Sequence, residues 1–130
     1  MSLPLVTVII PCRNEARYIE GCLDSLLRGD YPAEVMEVLV VDGMSDDGTP
    51  GIVNELANRD PRVRLLLNPK RIVPTAMNIG ITASRGAVIV RMDAHNEYPR
   101  DYVSGLVSWL ERSGADNVGG AWITVAADDS

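Results

Sequence analysis

The sequence predicts a three-layer α/β fold, doubly wound around a mainly parallel central sheet. Short runs rich in Val, Ile and Leu are apolar at nearly every position, and they alternate with segments whose apolar residues recur at helical spacing. Strands that are apolar on both sides are typical of a parallel sheet with helices on both faces. In addition, the unusual polar residues fall in the loops that follow these strands.

The first half of the chain predicts two β–α units. Residues 5–10 form a strand that Pro11 closes, and a helix follows Asn14. The apolar face of that helix consists of Ile19, Leu23, Leu26 and Leu27. Residues 38–41 form a second buried strand that ends at Asp42, and a loop rich in Ser, Asp and Gly leads to a short helix. The apolar residues of this second helix are Ile52, Val53 and Leu56.

The second half continues the alternation. Residues 63–67 form a third strand, which we place at an edge of the sheet, and Pro74 suits the first turn of a helix that runs to about Ser84. A fourth strand runs to Val90. Pro99 opens another helix, with apolar residues at i, i+3, i+4 and i+7, which Gly114 ends. A last strand is predicted to start near residue 117.

Composition limits the classes of function. The 130 residues suit one domain, and 46% hydrophobic with 23% charged residues is a globular balance. A net charge of -6 and a pI of about 4.6 argue against recruitment of nucleic acid or anionic lipid by bulk charge, so an anionic substrate must be held by a metal or a few basic side chains. Two cysteines, Cys12 and Cys22, without a secretory leader or a span of ~20 apolar residues favour a cytoplasmic chain with inert thiols.

The most informative segment is the apolar run of residues 86–90, which ends shortly before Asp93 and His95. A strand that stops at an Asp-x-His pair presents two metal ligands at its carboxyl end, where open α/β sheets bind their ligands. Two other loops that follow strands, residues 11–15 and 42–49, are also rich in polar side chains. Because parallel strands end at the same edge, we expect all three loops to converge on one crevice that binds a metal and a diphosphate.

Four motifs together resemble the family 2 glycosyltransferases of the GT-A fold. They are VIIPCRNE at residues 8–15, VVDGMSDDGT at residues 40–49, AMNIG at residues 76–80 and DAH at residues 93–95. Each motif is weak alone, but their order and spacing are specific, and they cover almost the whole chain. Within the family the sequence is most similar to bacterial enzymes of the ExoA type, which build exopolysaccharides such as succinoglycan.

The resemblance implies roles for particular residues. The nucleotide pocket is lined by Pro11, Arg13 and Glu15, and Asp42 reads the base. Asp93 orients the ribose and the metal, and His95 is a second metal ligand. A divalent cation would offset the charge on the departing nucleoside diphosphate, and an imidazole ligand favours Mn²⁺ over Mg²⁺.

The sequence also departs from the family pattern. Gly43 follows Asp42 where many relatives have a second acid, so the nucleotide base stays open. Met77 stands where relatives often carry Arg, which leaves Lys70 and Arg71 to neutralise the diphosphate. The family's catalytic base belongs to a later segment.

We therefore predict that residues 1–130 are the nucleotide-sugar-binding part of a GT-A domain, that the catalytic base follows Ser130, and that this chain alone turns over poorly. The resemblance implies an inverting transfer with a UDP-hexose such as UDP-glucose as donor. It also implies a saccharide or lipid-linked saccharide as acceptor, at the cytoplasmic face of the inner membrane.

Several of these residues also have a structural interpretation. Glu15 suits the N-terminus of the first helix, and Arg13 suits a surface pair with that acid. Asp42 suits a strand terminus as well as a base contact. Asp46 and Asp47 fit a turn that caps the next helix, which is the interpretation we favour for them.

Other residues in the motifs are similarly open. An isolated His95 would fit a loop imidazole bonded to backbone, and its place two residues after an Asp favours the metal instead. Asn78 and Gly80 fit close packing between a helix and a strand, which we prefer to a functional role. Trp109 and Trp122 fit packing, with stacking on a sugar as an alternative for Trp122.

Two other classes of function remain. A nucleotide-sugar-binding homologue without catalysis would share all the motifs, and a sugar-nucleotidyltransferase would share substrates and metal but normally leads with a Gly-rich basic loop. The Gly-x-Gly-x-x-Gly turn of dinucleotide-dependent oxidoreductases is absent after the first strand. The same is true of the Gly-Lys-Ser/Thr element of phosphate-loop NTPases.

Overall fold

The computed structural model describes residues 3–112 and 121–124, which contain five strands and four α-helices. The strands are β1 Val6–Cys12, β2 Met36–Asp42, β3 Val63–Leu67, β4 Val88–Arg91 and β5 Ala121–Thr124. The helices are α1 Ile19–Leu27, α2 Thr49–Arg59, α3 Val73–Ala83 and α4 Tyr102–Arg112. A short 3₁₀ turn, Ala33–Val35, precedes β2.

The strands form one sheet in the order β3-β2-β1-β4-β5, and each neighbouring pair is parallel. The predicted fold class is confirmed, and β3 lies at an edge as expected. The chain winds outward from β1 to β3 and then returns to the other side of β1. This reversal makes the space between the ends of β1 and β4 the switch point at which such sheets bind ligands.

Helices cover both faces of the sheet, as strands with apolar side chains on both sides require. The larger core contains side chains from α1, α2, α4 and one face of the sheet. The smaller core lies under α3 and consists of Ile9, Val41, Ala76 and Met77, with Leu66, Ile79 and Ile89 packed against it. Every residue of β2 is buried, which is the pattern of a central parallel strand.

Among the predicted boundaries that the structure shifts, two have a clear physical cause. Pro11 lies inside β1 and pairs with Val41. The ladder between β1 and β4 has already ended at Ile9, so the missing N–H costs no bond on that side. In the other case α4 begins at Tyr102 rather than at Pro99.

The carbonyl of Arg100, which a helix starting at Pro99 would need, instead accepts a hydrogen bond from the N–H of Asp30. The predicted helix end at Gly114 and the strand start near residue 117 lie outside the described residues, as does the side chain of Trp122.

Trp109 is not a packing residue. Its side chain is 56% exposed, because Val103, Val107 and Leu110 form the buried face of α4 and Trp109 lies on the opposite one. Among the helices of the described ranges, none has the length and apolar character needed to cross a bilayer.

The edge of the sheet at which the strands begin, here called the amino edge, is closed by a buried carboxylate. Glu37 accepts hydrogen bonds from the Thr7 hydroxyl at 2.6 Å and from the backbone N–H of Arg85 at 2.7 Å. The Arg85 guanidinium adds an ion pair at 3.4 Å. Thr7 in turn accepts the N–H of Gly86, so the start of β4 is tied to β1 and β2.

Candidate functional site

The opposite edge, here called the carboxyl edge, carries the loops that follow β1, β2, β3 and β4. Three of these loops contain a residue other than glycine with a positive φ: Asn14 at 56°, Met44 at 63° and Arg71 at 67°. Within the described residues there are no others. Such conformations are sparsely populated by L-residues and concentrate at sites where geometry serves a ligand.

Hydrogen bonds from side chains join the loops after β1 and β2. The Arg13 guanidinium donates to the carbonyl of Gly43 at 3.0 Å, and the N–H of Asn14 donates to the Ser45 hydroxyl at 2.7 Å. Asn14 also accepts the N–H of Asp46 at 2.9 Å. The predicted pair between Arg13 and Glu15 is therefore replaced by a bond that fixes one loop against the other.

Asp42 is fully buried at the end of β2. One carboxylate oxygen accepts the N–H of Ser45 at 2.8 Å, the other accepts the Ser45 hydroxyl at 2.6 Å, and the Cys12 thiol lies 3.6 Å away. Burial and the neighbouring Asp42 carboxylate raise the pKa of the Cys12 thiol well above its usual range. Asp42 thus fixes the start of the loop after β2 through its hydrogen bonds to Ser45. Its contact with a nucleotide base stays a prediction.

Asp47 has the turn role that the sequence favours. It accepts the hydroxyl and the N–H of Thr49, the first residue of α2, and the N–H of Ala16 at 3.1 Å. The Thr49 hydroxyl, followed by these backbone donors, holds the pKa of Asp47 below its usual value. Asp46 contributes its backbone N–H to the same loop contact.

A cavity of about 160 Å³ lies at this edge, on the face of the sheet that α3 covers. Its lining consists of Pro11, Cys12, Arg13, Glu15, Asn68, Arg71, Ile72, Val73 and Ala76. Four residues predicted to bind the nucleotide are therefore together in one cavity: Pro11, Arg13, Glu15 and Arg71. Asp42, Asp93 and His95 do not line it.

Asn68 builds one wall of this cavity. Its N–H donates to the carbonyl of Asp42 at 2.7 Å, its carbonyl accepts the N–H of Arg71 at 3.1 Å, and its amide nitrogen donates to the carbonyl of Ile72 at 2.8 Å. These bonds hold Arg71 in its left-handed conformation, at the start of the turn into α3. The role of Asn68 cannot be predicted from sequence, because an Asn-Pro pair in a loop also fits an ordinary turn.

The loop after β4 meets the loop after β1 through His95 and Glu15. The His95 Nδ1 atom lies 3.6 Å from Glu15 Oε2, and the imidazole is 54% exposed. Glu15 caps α1 with its backbone carbonyl, which accepts the N–H groups of Tyr18 and Ile19, so its carboxylate is left for the crevice. The loops after β2 and β4 therefore both contact the loop after β1, as the predicted convergence of the three loops requires.

Asp93 is held by its backbone. The Tyr98 hydroxyl accepts the N–H of Asp93 at 2.9 Å and donates to its carbonyl at 3.2 Å, and the Cys22 thiol donates to the same carbonyl at 3.4 Å. Burial raises the pKa of Tyr98 and that of Cys22 to about 12, so both groups stay protonated donors at neutral pH. The two groups fix the turn that presents Asp93 and His95.

The side chains of Asp93 and His95 suit a divalent ion whose remaining ligands come from a substrate. Within residues 3–112 and 121–124, no three side chains of His, Cys, Asp and Glu are grouped to hold an ion unaided. Mg²⁺ sites usually use one or two carboxylates together with substrate phosphates, and Mn²⁺ accepts oxygen and imidazole nitrogen. A carboxylate and an exposed imidazole two residues apart fit that kind of site.

Three residues of the third motif, Ala76, Met77 and Gly80, are buried in packing contacts, whereas the packing role predicted for Asn78 is wrong because Asn78 is exposed. A Cβ atom added to Gly80 would lie 2.7 Å from the Ile9 side chain, so only glycine lets α3 approach β1 this closely. Met77 is buried in the smaller core. The packing interpretation of Gly80 is confirmed, and the basic residues that remain near the cavity are in the loops.

One further residue at this edge escapes sequence analysis. Arg91, the last residue of β4, has its Nη2 atom 3.9 Å from Asp93 Oδ1. A charged residue at the end of an apolar strand, two positions before a metal-ligand candidate, is the signal that could have identified it.

Comparison with known proteins agrees with this geometry. Residues 7–129 match the family described as Glycosyl transferase family 2. The succinoglycan biosynthesis protein ExoA of Rhizobium meliloti is 43% identical over 121 residues, which cover 91% of this chain and 36% of that protein. The glycosyltransferase AglE of Haloferax volcanii is 35% identical over 120 residues, which cover 92% of this chain and 40% of that protein. The chain thus spans less than half the length of these relatives.

Solved structures give the same result for the fold. The mannosyltransferase PcManGT from Pyrobaculum calidifontis, in complex with GDP-Man and Mn²⁺, superposes with a TM-score of 0.77 at 38% identity, covering 89% of this chain and 34% of that one. Residues 1–349 of S. aureus TarS superpose with a TM-score of 0.74 at 24% identity, covering 82% and 32%. The second likeness shows a shared fold.

Proposed function

The chain belongs to the family 2 glycosyl transferases, and we propose that it forms the nucleotide-sugar-binding part of an enzyme that transfers a glycosyl group to a hydroxyl acceptor in polysaccharide biosynthesis. One observation carries this proposal. The loops after β1 and β4 meet at the switch point of the sheet, with Glu15 and His95 3.6 Å apart beside a cavity of suitable chemistry. The family match also favours transfer over the nucleotidyltransferase alternative.

The cavity suits the nucleotide part of the donor. Arg13 and Arg71 are on its lining, and the amino end of α3 opens into it through Ile72 and Val73 without a side-chain cap. Uncapped backbone N–H groups and arginines both favour an anion such as a diphosphate. In a chain of net charge -6 this local positive lining supplies the attraction that the surface as a whole does not.

Asp93 and His95 are the residues that would hold a divalent cation next to this cavity. When bound, the cation would offset the negative charge that develops on the departing diphosphate. We propose Mn²⁺ in preference to Mg²⁺, because an imidazole nitrogen is a softer ligand than a carboxylate oxygen. The Mn²⁺ in the Pyrobaculum mannosyltransferase complex supports a divalent cation here.

A finer proposal concerns the donor. The resemblance to ExoA-type enzymes favours a UDP-hexose such as UDP-glucose, whereas the mannosyltransferase complex contains GDP-Man. Asp42 is buried beneath Ser45, so a base contact would reach this acid only if the Ser45 hydroxyl turned away. Binding of a uracil nucleotide and binding of a guanine nucleotide must therefore both be measured.

The acceptor side is proposed from the resemblance. A saccharide hydroxyl, on a lipid-linked carrier at the cytoplasmic face of the membrane, would attack in line and invert the anomeric carbon. The base that takes its proton is expected after Ser130. On this account the present chain binds a donor well and transfers it slowly.

Calorimetric titration of the chain with UDP and with GDP, each with Mn²⁺ or with a chelator, tests the proposal. We expect Mn²⁺ to tighten the binding of one nucleotide by at least about tenfold and Asp93→Asn to remove most of that gain. Equal affinity with and without Mn²⁺ would contradict a metal at Asp93 and His95.

A matched control separates the site from net charge. Asp24→Asn removes the same charge from an exposed position on α1 and should leave the Mn²⁺-dependent gain intact. If both variants lost the gain equally, the effect would come from overall electrostatics and the proposed site would be wrong.

A further inference from the structure

Arg91 is a cation that faces Asp93, and its guanidinium is incompletely used. Its Nη2 atom is 3.9 Å from Asp93 Oδ1, longer than the 2.7–2.9 Å of a charge-assisted hydrogen bond. Its Nε–H is buried, and among the described residues it has no acceptor. A buried donor without an acceptor is unfavourable, and such a group in a native protein calls for an explanation.

The position of Arg91 connects the cavity with Asp93. Side chains alternate along β4, so Arg91 projects to the same face as Ile89, which packs under α3. In register Arg91 pairs with Ile9, two residues before Pro11 of the cavity lining. Its side chain is therefore on the cavity side of the sheet and 32% exposed, next to the cavity but not among the residues that line it.

We propose that Arg91 is a positioning residue that couples the cation to the nucleotide, an inference that rests on the proposed function. In the free protein its charge partly neutralises Asp93, so a divalent cation alone binds weakly. When a diphosphate occupies the cavity, its anionic oxygens supply the acceptors that the guanidinium lacks, and Asp93 is released to the cation. The site then takes up cation and nucleotide together rather than the free cation first.

This coupling has a thermodynamic form that can be measured. If the nucleotide raises the affinity for Mn²⁺ by some factor, Mn²⁺ must raise the affinity for the nucleotide by the same factor. Arg91 is proposed to enlarge that factor, because it penalises the binary complex with Mn²⁺ and favours the ternary complex. Its replacement should therefore tighten one complex and loosen the other, which loss of structure would not do.

The test compares Arg91→Met with wild type by electron paramagnetic resonance of Mn²⁺ alone and by calorimetry of UDP or GDP with Mn²⁺. We expect Arg91→Met to bind Mn²⁺ alone roughly three- to tenfold more tightly, and the coupling factor to fall by a similar amount. Arg91→Lys keeps the charge and should bind Mn²⁺ alone as weakly as wild type. Arg91→Gln is a second neutral variant with the same expectation as Arg91→Met.

Arg59→Met is the charge-matched control, because Arg59 is exposed at the far end of α2. If Arg91→Met and Arg59→Met bound Mn²⁺ alone equally and showed the same coupling, the role of Arg91 would be refuted while the proposed function stood. If wild type bound the nucleotide equally well with and without Mn²⁺, the proposed metal site would fail, and if it bound neither UDP nor GDP, the proposed function itself would fail.

Discussion

At the amino edge of the sheet the Glu37 carboxylate is buried and accepts two short hydrogen bonds from Thr7 and Arg85. At the carboxyl edge Glu15 is only partly buried, and its carboxylate lies 3.6 Å from an exposed imidazole. The same residue type thus closes the fold at one edge and borders a crevice at the other. The difference is that donors within the chain satisfy the first carboxylate, whereas the second is placed where a ligand can approach.

The backbone shows the same contrast. All three residues other than glycine with positive φ in the described ranges are in loops of the carboxyl edge. Each such conformation costs on the order of 1 kcal/mol, which the hydrogen bonds that lace these loops must offset. The amino edge is built for stability, and the carboxyl edge is built to hold a particular shape.

The largest effect on stability should come from Glu37→Ala. The substitution leaves the Thr7 hydroxyl and the N–H of Arg85 without their acceptor, and we expect a loss of about 2–4 kcal/mol in the free energy of unfolding. Urea denaturation measures it. Glu15→Ala, its counterpart at the other edge, should lose less than about 0.5 kcal/mol and instead weaken nucleotide binding in the presence of Mn²⁺ by ~10-fold.

The opposite result for these two variants would contradict the separate roles of the two edges. If Glu15→Ala unfolded more easily than Glu37→Ala, or if Glu37→Ala lost Mn²⁺-dependent binding while folded, the two edges would not have separate roles.

A sharper comparison uses two buried tyrosines. The Tyr98 hydroxyl clamps the backbone of Asp93, and the Tyr31 hydroxyl donates to the carbonyl of Pro4 at the amino edge. Tyr98→Phe and Tyr31→Phe should each cost about 1 kcal/mol of stability. Only Tyr98→Phe should also reduce the Mn²⁺-dependent part of nucleotide affinity, because the turn that carries Asp93 and His95 loosens. Thermal denaturation and calorimetry give the two readouts, and equal metal dependence in both variants would argue against a positioning role for Tyr98.

The smallest effect is expected for Asp47→Asn, and its signature is a changed dependence of stability on pH in the acid range. The pKa of Asp47 is lower in the folded chain than in the unfolded one, so its contribution to stability is present above the unfolded pKa and is lost as pH falls through the folded one. Asparagine does not titrate, so the free energy of unfolding should fall less steeply between about pH 5 and pH 2. A variant with the wild-type slope would show that Asp47 contributes nothing to acid sensitivity.

The sequence predicts the strands and helices well because the apolar residues of each core recur at the spacing of the element that carries them. The apolar run of residues 38–41 identifies β2 as a central parallel strand, and β3 is predicted to the residue. The start of α4 is missed because a contact from a distant residue, Asp30, takes the carbonyl that the helix would need. The exposure of Trp109 is not predicted, because a large aromatic residue suggests packing even though Trp109 lies on the face of α4 opposite the buried one.

The site is predicted in part for the same reason. Residues in motifs, such as Glu15 and His95, can be identified because the end of a parallel strand fixes where they lie. The residues that hold the motifs in place cannot be identified in this way. Glu37, Tyr98 and Arg91 act through contacts with segments that are remote in sequence or through a backbone group, and their types fit many other roles.

The most direct measurement is the diffraction of a crystal of the chain soaked with UDP and Mn²⁺, recorded at the manganese absorption edge. We expect an anomalous peak between the Asp93 carboxylate and the His95 imidazole, next to a diphosphate bound at the carboxyl edge. A nucleotide bound there with no manganese at these two side chains, or a nucleotide bound at the amino edge, would contradict this expectation.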